Sequence, residues 1–144
     1  MITLLDINVL IALVDSAHVH HDAAKRCFKS IRASGWATCP LTENGFLRIM
    51  GRPGADHGPD SPHTARILLR SLLGMPGHEL WADDLSLADT TVFPSLPAAR
   101  DLTDLYLLGL ALKHGGRLAT FDRHLDPTLV KDGAAAYFVI PVSE

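Results

Sequence analysis

Four carboxylates stand where regular elements of this chain begin or end: Asp6, Glu43, Asp104 and Asp122. Asp6 closes the apolar run ITLLD, and Glu43 follows WATCPLT. Asp104 sits at the head of the apolar stretch LYLLGLALK, and Asp122 follows RLATF. Each has a plain structural reading. Glu43 and Asp104 both follow a threonine and suit the positive end of a helix dipole, Asp6 suits an N-cap, and Asp122 suits a turn. Brought together, the four would do chemistry. Like charges held close must take up protons or gather a cation. An all-oxygen donor set with no accompanying Cys/His set selects a hard ion, Mg²⁺ with Mn²⁺ as a substitute. Such a pocket suits attack of water on a phosphodiester, because the ion activates the water and offsets charge in the transition state.

The elements that must position these acids alternate between strand and helix. ITLLD (2–6) has strand length, while NVLIALV is apolar without alternation, so strand and buried helix compete there. His20 to Gly35 reads as a helix, with Ala23, Ala24, Cys27, Phe28 and Ile31 at helical spacing. WATCP is a second strand, and LTENGFLRIMG a helix with Thr42 as its expected N-cap. Gly51 to Pro62 is a loop by composition, and residues 63–74 an amphipathic helix. HELWADD gives a third strand and SLADTTVFPSLPAAR stays ambiguous. A helix over 102–114, capped by Thr103, then leads through Gly115 and Gly116 to RLATF, and AAYFVIP closes the chain as a strand. This alternation predicts a three-layer α/β/α sandwich around a mostly parallel sheet, with residues 1–144 as one domain. Right-handed crossovers put every strand-to-helix junction on the same edge, where binding crevices form. All four acids fall at such junctions.

Composition narrows the class. Of 144 residues, 47% are hydrophobic, which argues against disorder. No apolar run has the length to span a bilayer, and the opening segment lacks a basic n-region, so a cytoplasmic protein is expected. Cys27 and Cys39 read as buried, reduced thiols rather than a disulfide framework. The net charge of −3 advertises no general nucleic-acid affinity, so such a substrate needs a local basic patch, a metal ion or a second subunit.

LLDINVLIALVD, then LTENGFLRIM, then LTDLYLLGLALKHGGRLATFDR, in this order and spacing, resemble a PIN domain, and more narrowly the VapC toxin branch of bacterial toxin–antitoxin systems. The match runs from Leu4 to Arg123 and includes the YFVIP strand. Residue by residue, the acidic set of that family falls on Asp6, Glu43, Asp104 and Asp122, with Asn8 at a polar active-site position. The resemblance implies a metal-dependent endoribonuclease that cleaves RNA, a cognate VapB antitoxin whose C-terminal tail occupies the groove, and a homodimer. Asp6 and Asp104 would then bind Mg²⁺ directly and Asp122 would help through water or a second ion. Glu43 would be a ligand or the group that takes the proton from water. Many relatives carry Thr or Ser after the first aspartate, where this chain has Ile7. Asp101 competes with Asp104 for the third position.

Other residues invite roles. Asn8 either bonds water or phosphate or makes a helix-turn contact, and Thr120 caps or orients Asp122. Arg48 and Arg52 flank the Glu43 helix and either touch phosphates or lie on the surface. His18, His20 and His21 lack a fourth zinc ligand and read as a solvated helix start. Trp36, Trp81, Phe46 and Phe138 read as core. Two rival functions remain: a haloacid-dehalogenase-like phosphatase, which needs an acid where Asn8 stands, and a non-catalytic module whose acidic edge binds a basic partner tail.

Overall fold

The computed structural model describes residues 1–54 and 60–142. Five strands, β1 (Thr3–Leu5), β2 (Trp36–Thr38), β3 (His78–Leu80), β4 (Arg117–Thr120) and β5 (Tyr137–Val139), form one parallel sheet in the order β3-β2-β1-β4-β5. The helices are α1 (Ile7–Val14), α2 (His21–Ile31), α3 (Pro40–Met50), α4 (Pro62–Leu73), α5 (Leu102–Lys113) and the single turn α6 (Gly133–Ala136). Residues 55–59 of the expected 51–62 loop lie outside the described residues.

Alternation along the strands builds two cores. Leu5, Trp36 and Ala119 face one layer with Val9, Phe28, Phe46 and Leu69 from α1 to α4. Their strand neighbours Leu4, Ala37 and Leu118 face the other with Leu105, Leu107, Leu108 and Ala136 from α5 and α6. A sheet covered on both faces needs strands that are apolar throughout, which is why ITLLD and RLATF show no polar alternation. The three-layer sandwich expected from the sequence is therefore present.

The ambiguous segment NVLIALV is helix α1. Asp6 caps it, its Oδ1 accepting from the Ile7 amide at 2.7 Å. Two expected caps move. Thr42 sits at the third position of α3 rather than at its N-cap, which is Cys39, because Pro40 is pre-shaped for the first helical residue. The Thr42 hydroxyl instead accepts from the Cys39 amide (3.0 Å) and donates to the Cys39 carbonyl (2.9 Å). Likewise Thr103 lies inside α5, whose cap is Asp101, because a 3₁₀ turn over Ala99–Asp101 runs straight into the helix. Of HELWADD only His78–Leu80 is strand, and 81–98 crosses the α5 face with no regular element. Both cysteines are free and buried, and Trp36, Phe46 and Trp81 are core, as expected. Phe138 is only half buried, under the Arg117 guanidinium at 4.4 Å.

Candidate active site

The chain runs from β1 outward to β2 and β3 on one side, and to β4 and β5 on the other. The crossover connections therefore part between β1 and β4, and a crevice opens there at the carboxyl ends. Asp6 follows β1 and Asp122 follows β4, so one acid stands on each lip. Asp104, in the first turn of α5, enters the same edge because α5 runs back to the start of β4.

The three aspartates meet. Thr120, the last residue of β4 and fully buried, joins two of them. Its hydroxyl donates to Asp6 Oδ2 at 2.7 Å and accepts from the Asp122 amide at 3.0 Å. Asp6 and Asp104 are 4% and 8% exposed. Burial pushes the Asp104 carboxyl up to about 9, and the negative charges of Asp6 and Asp122 push the same way. Burial also raises Asp6, against hydrogen bonds from Thr120 and the Ile7 amide. Asp122, half buried, is lowered, first by its hydrogen bond with Asp104. Like charges packed together favour the protonated form, and here that pressure falls on the buried Asp104 and Asp6 rather than on Asp122.

Glu43 is held by different partners. Its Oε2 accepts from the Thr38 hydroxyl at 2.8 Å, and that hydroxyl is also 2.7 Å from His78 Nε2. Asn8 Oδ1 is buried with no partner, an acceptor left over in the first turn of α1. Arg48 is exposed in the last turn of α3. Asp101, the competitor for the third acidic position, is buried with Oδ2 3.8 Å from Arg100 Nε. Of the two, Asp104 is the one whose side chain hydrogen-bonds with Asp6 and Asp122. The histidine turn is half buried rather than solvated: His18 Nδ1 accepts from the His20 amide, His21 Nδ1 bonds the Ala12 carbonyl at 2.7 Å, and His20 stacks on Phe121 at 4.7 Å. Ile7, which the sequence offered in place of an expected hydroxyl, packs against Gly45 of α3, where a Cβ would come within 2.3 Å of Ile7 Cδ1.

Three neighbours of the acids had no signal in the sequence. Tyr137 donates to the Asp122 carbonyl and so tethers that turn, and its own pKa is raised by burial and by the three aspartates. Thr38 and His78 touch Glu43's end of the edge only through strand pairing, which no local motif announces.

The donor chemistry of Asp6, Asp104 and Asp122 fits a hard divalent cation, since only added positive charge lets all three ionise. As they stand, no group of three His, Cys, Asp or Glu side chains among the described residues is disposed to hold a metal. The three form a chain with Asp104 in the middle rather than a cage.

The PIN domain family model matches residues 3–128. Ribonuclease VapC38 of Mycobacterium tuberculosis (strain ATCC 25618 / H37Rv) is 43% identical over 119 residues, covering 83% of this chain and 84% of the relative. Ribonuclease VapC39 of the CDC 1551 / Oshkosh strain is 40% identical, covering 87% and 91%, and Ribonuclease VapC44 of that strain is 37% identical, covering 90% and 92%. A crystal structure of VapBC2 from Rickettsia felis bound to a DNA fragment from their promoter has a chain that superposes with a TM-score of 0.57. It covers 85% of this chain and 89% of that one, and at 12% identity it speaks to the fold. The chain belongs to the PIN domain family, in the branch of the VapC ribonucleases.

Proposed function

We propose that this chain is a divalent-metal-dependent endoribonuclease, the toxin of a type II toxin–antitoxin pair, with residues 1–144 forming one nuclease domain that acts in the cytoplasm. The observation that carries the reading is the meeting of Asp6, Asp104 and Asp122 across the β1–β4 crevice, where two buried carboxyls, Asp6 and Asp104, are both pushed above their ordinary pKa. A hydrolase built on bound Mg²⁺ or Mn²⁺ has a use for such a pocket, and a bland cap does not.

Asp6, Asp104 and Asp122 would hold the ion, and Asn8 Oδ1 is a spare buried acceptor in the same first turn. Held there, an ion would supply positive charge where the phosphodiester gains negative charge and would make water more acidic. The protein's own part is positioning. Thr120 keeps Asp6 and Asp122 on opposite lips of one crevice, and Tyr137 pins the turn that carries Asp122. Glu43, fixed by Thr38, accepts the proton of the attacking water. Water attacks phosphorus and gives its proton to Glu43, the P–O3′ bond breaks, and the leaving 3′-oxygen takes a proton from solvent water, so the products carry a 5′-phosphate and a 3′-hydroxyl. Arg48 is an exposed cation on the Glu43 helix, suited to the RNA backbone.

The antitoxin half of the reading draws support from a second surface. Helices α1, α2 and α4 bound a groove of about 750 Å³ lined by apolar side chains such as Leu13, Phe28 and Leu72 and by more basic than acidic groups, with Lys25, Lys29 and Arg32 against Asp22. That pattern fits an amphipathic, acid-bearing segment of a VapB-type partner, with a tail continuing toward the crevice. A homodimer is part of the same reading. The test is expression with and without the neighbouring antitoxin frame. Growth arrest only without it, lost in Asp104→Asn and Asp6→Asn, is the expected result. Purified Asp6→Asn that folds and still cleaves RNA at the wild-type rate with Mg²⁺ would defeat the assignment.

A further inference from the structure

Strand β3 is an edge of the sheet, and its first residue, His78, turns its ring toward Thr38 on the neighbouring strand. Thr38 is fully buried, and its Oγ1 lies 2.8 Å from Glu43 Oε2 and 2.7 Å from His78 Nε2. A hydroxyl has one proton to give. With Glu43 ionised the carboxylate takes it, and then His78 Nε2 has to be a donor to the threonine oxygen. The opposite tautomer would set two lone pairs against each other at hydrogen-bonding distance.

The surroundings hold the ring in this plane. Trp36 lies against it with centroids 4.7 Å apart, and the Trp36 indole is itself fixed by its Nε1 donating to the Pro76 carbonyl at 3.1 Å. Burial keeps the imidazole pKa below its ordinary value, against the pull of Glu43 and Glu79, which favours the neutral ring with one N–H to place. A second tether from the β3 side reaches the same helix turn: Asp83 Oδ2 accepts from the Leu41 amide of α3 at 2.9 Å.

We propose that His78 is a positioning residue for the reaction: its Nε2–H donates to Thr38, which turns its hydroxyl proton onto Glu43 and holds that carboxylate in one rotamer. The proposal rests on the reading of Glu43 as proton acceptor. The edge strand thereby becomes part of the site although it carries no acid of the set. Among the described residues no hydrogen bond occupies Glu43's other oxygen, and a polarised donor chain behind a carboxylate sharpens its direction rather than its charge.

Two measurements on the intact chain test this. ¹⁵N NMR of the histidine ring should show His78 with a protonated Nε2 and an unprotonated Nδ1, and the reverse tautomer overturns the proposal. Cleavage of a mixed-sequence, single-stranded fluorogenic RNA with Mg²⁺ should then be compared for His78→Phe, His78→Gln, Thr38→Val and Glu43→Gln. His78→Phe and Thr38→Val should each lose about tenfold in kcat with KM little changed. His78→Gln, which offers an amide N–H in place of Nε2–H, should recover most of the rate, and His78→Phe should add nothing to Glu43→Gln. Wild-type kcat in His78→Phe beside an impaired Glu43→Gln overturns the inference and leaves the reading of Glu43 standing. Wild-type kcat in Glu43→Gln overturns both. If His78→Phe melts early, the Thr38→Val and His78→Gln pair decides the matter alone.

Discussion

At the scale of single residues, the site is organised by a hydroxyl and a proton. Thr120 is the only described side chain that bonds to both the Asp6 carboxylate and the Asp122 amide, and it is fully buried. Thr120→Val keeps its shape and leaves both partners unsatisfied. We expect it to lower unfolding stability by about 1–3 kcal/mol, read by urea denaturation, and to reduce metal-dependent cleavage more than its stability loss explains. Asp104 gives a prediction in pH. Its folded pKa of about 9 lies above the ordinary 3.8, so between those values the unfolded chain has lost a proton that the native state keeps. Stability contributed by this group is complete below pH ~4 and is lost as pH rises toward 9. The metal-free protein should therefore melt at progressively lower temperature from pH 5 to pH 9, and saturating Mg²⁺ should flatten that slope. Asp104→Asn keeps a donor without the charge and should melt higher than wild type at pH 8 without metal, by about 3 °C for each ~1 kcal/mol relieved. A wild-type melting temperature that rises with pH over this range would contradict the raised Asp104 pKa.

At the scale of elements, the separation of the two halves of the site depends on how closely α1 approaches α3. Gly45 allows it, since a methyl there would press into Ile7 Cδ1 and Cγ1 at 2.3 and 2.9 Å. Ile7 directly follows Asp6 and Gly45 lies two residues beyond Glu43, so this contact couples the first acid to the second. Gly45→Ala should destabilise by about 1–3 kcal/mol through overpacking, and Ile7→Ala in the same chain should return part of it. Differential scanning calorimetry of the two single variants and the double variant reads this directly. The same contact gives Ile7 a packing role beside the first acid. Element boundaries were less legible. Pro40 and the 3₁₀ turn before Leu102 each move a helix start to a residue upstream of the threonine expected to cap it. Propensity ranks Thr highly at caps, but the backbone entering the helix decides which residue occupies that position.

At the scale of the whole molecule, two surfaces are separated by the sheet's geometry: the acidic crevice at the carboxyl edge, and the groove between α1, α2 and α4 with its excess of basic groups. A net charge of −3 makes that excess stand out as a local feature rather than a general one. Lys25→Glu combined with Lys29→Glu should weaken capture of a co-expressed VapB-type antitoxin at least tenfold at low salt, with a smaller effect at high salt, while RNA cleavage by the free protein stays unchanged. Isothermal titration at two ionic strengths separates these. Undiminished binding by the double variant would place the antitoxin elsewhere. Among the described residues no helix is long and apolar enough to cross a membrane.

Much of this was legible in the order of the residues alone. Apolar strands without alternation, helices between them and acids at the junctions imply a covered parallel sheet with Asp6, Glu43, Asp104 and Asp122 on one edge, because chirality and chain reach leave little else open. The folded chain joins three of them and gives Glu43 other partners. What only the folded chain decided were the partnerships: Thr120 between two acids, Tyr137 on the Asp122 turn, and His78 behind Thr38 and Glu43. These join residues on different strands, and their register comes from how two cores pack on opposite faces of the sheet. Local composition cannot encode that register, since a hydrogen bond between residues 40 positions apart exists only once both strands are in place.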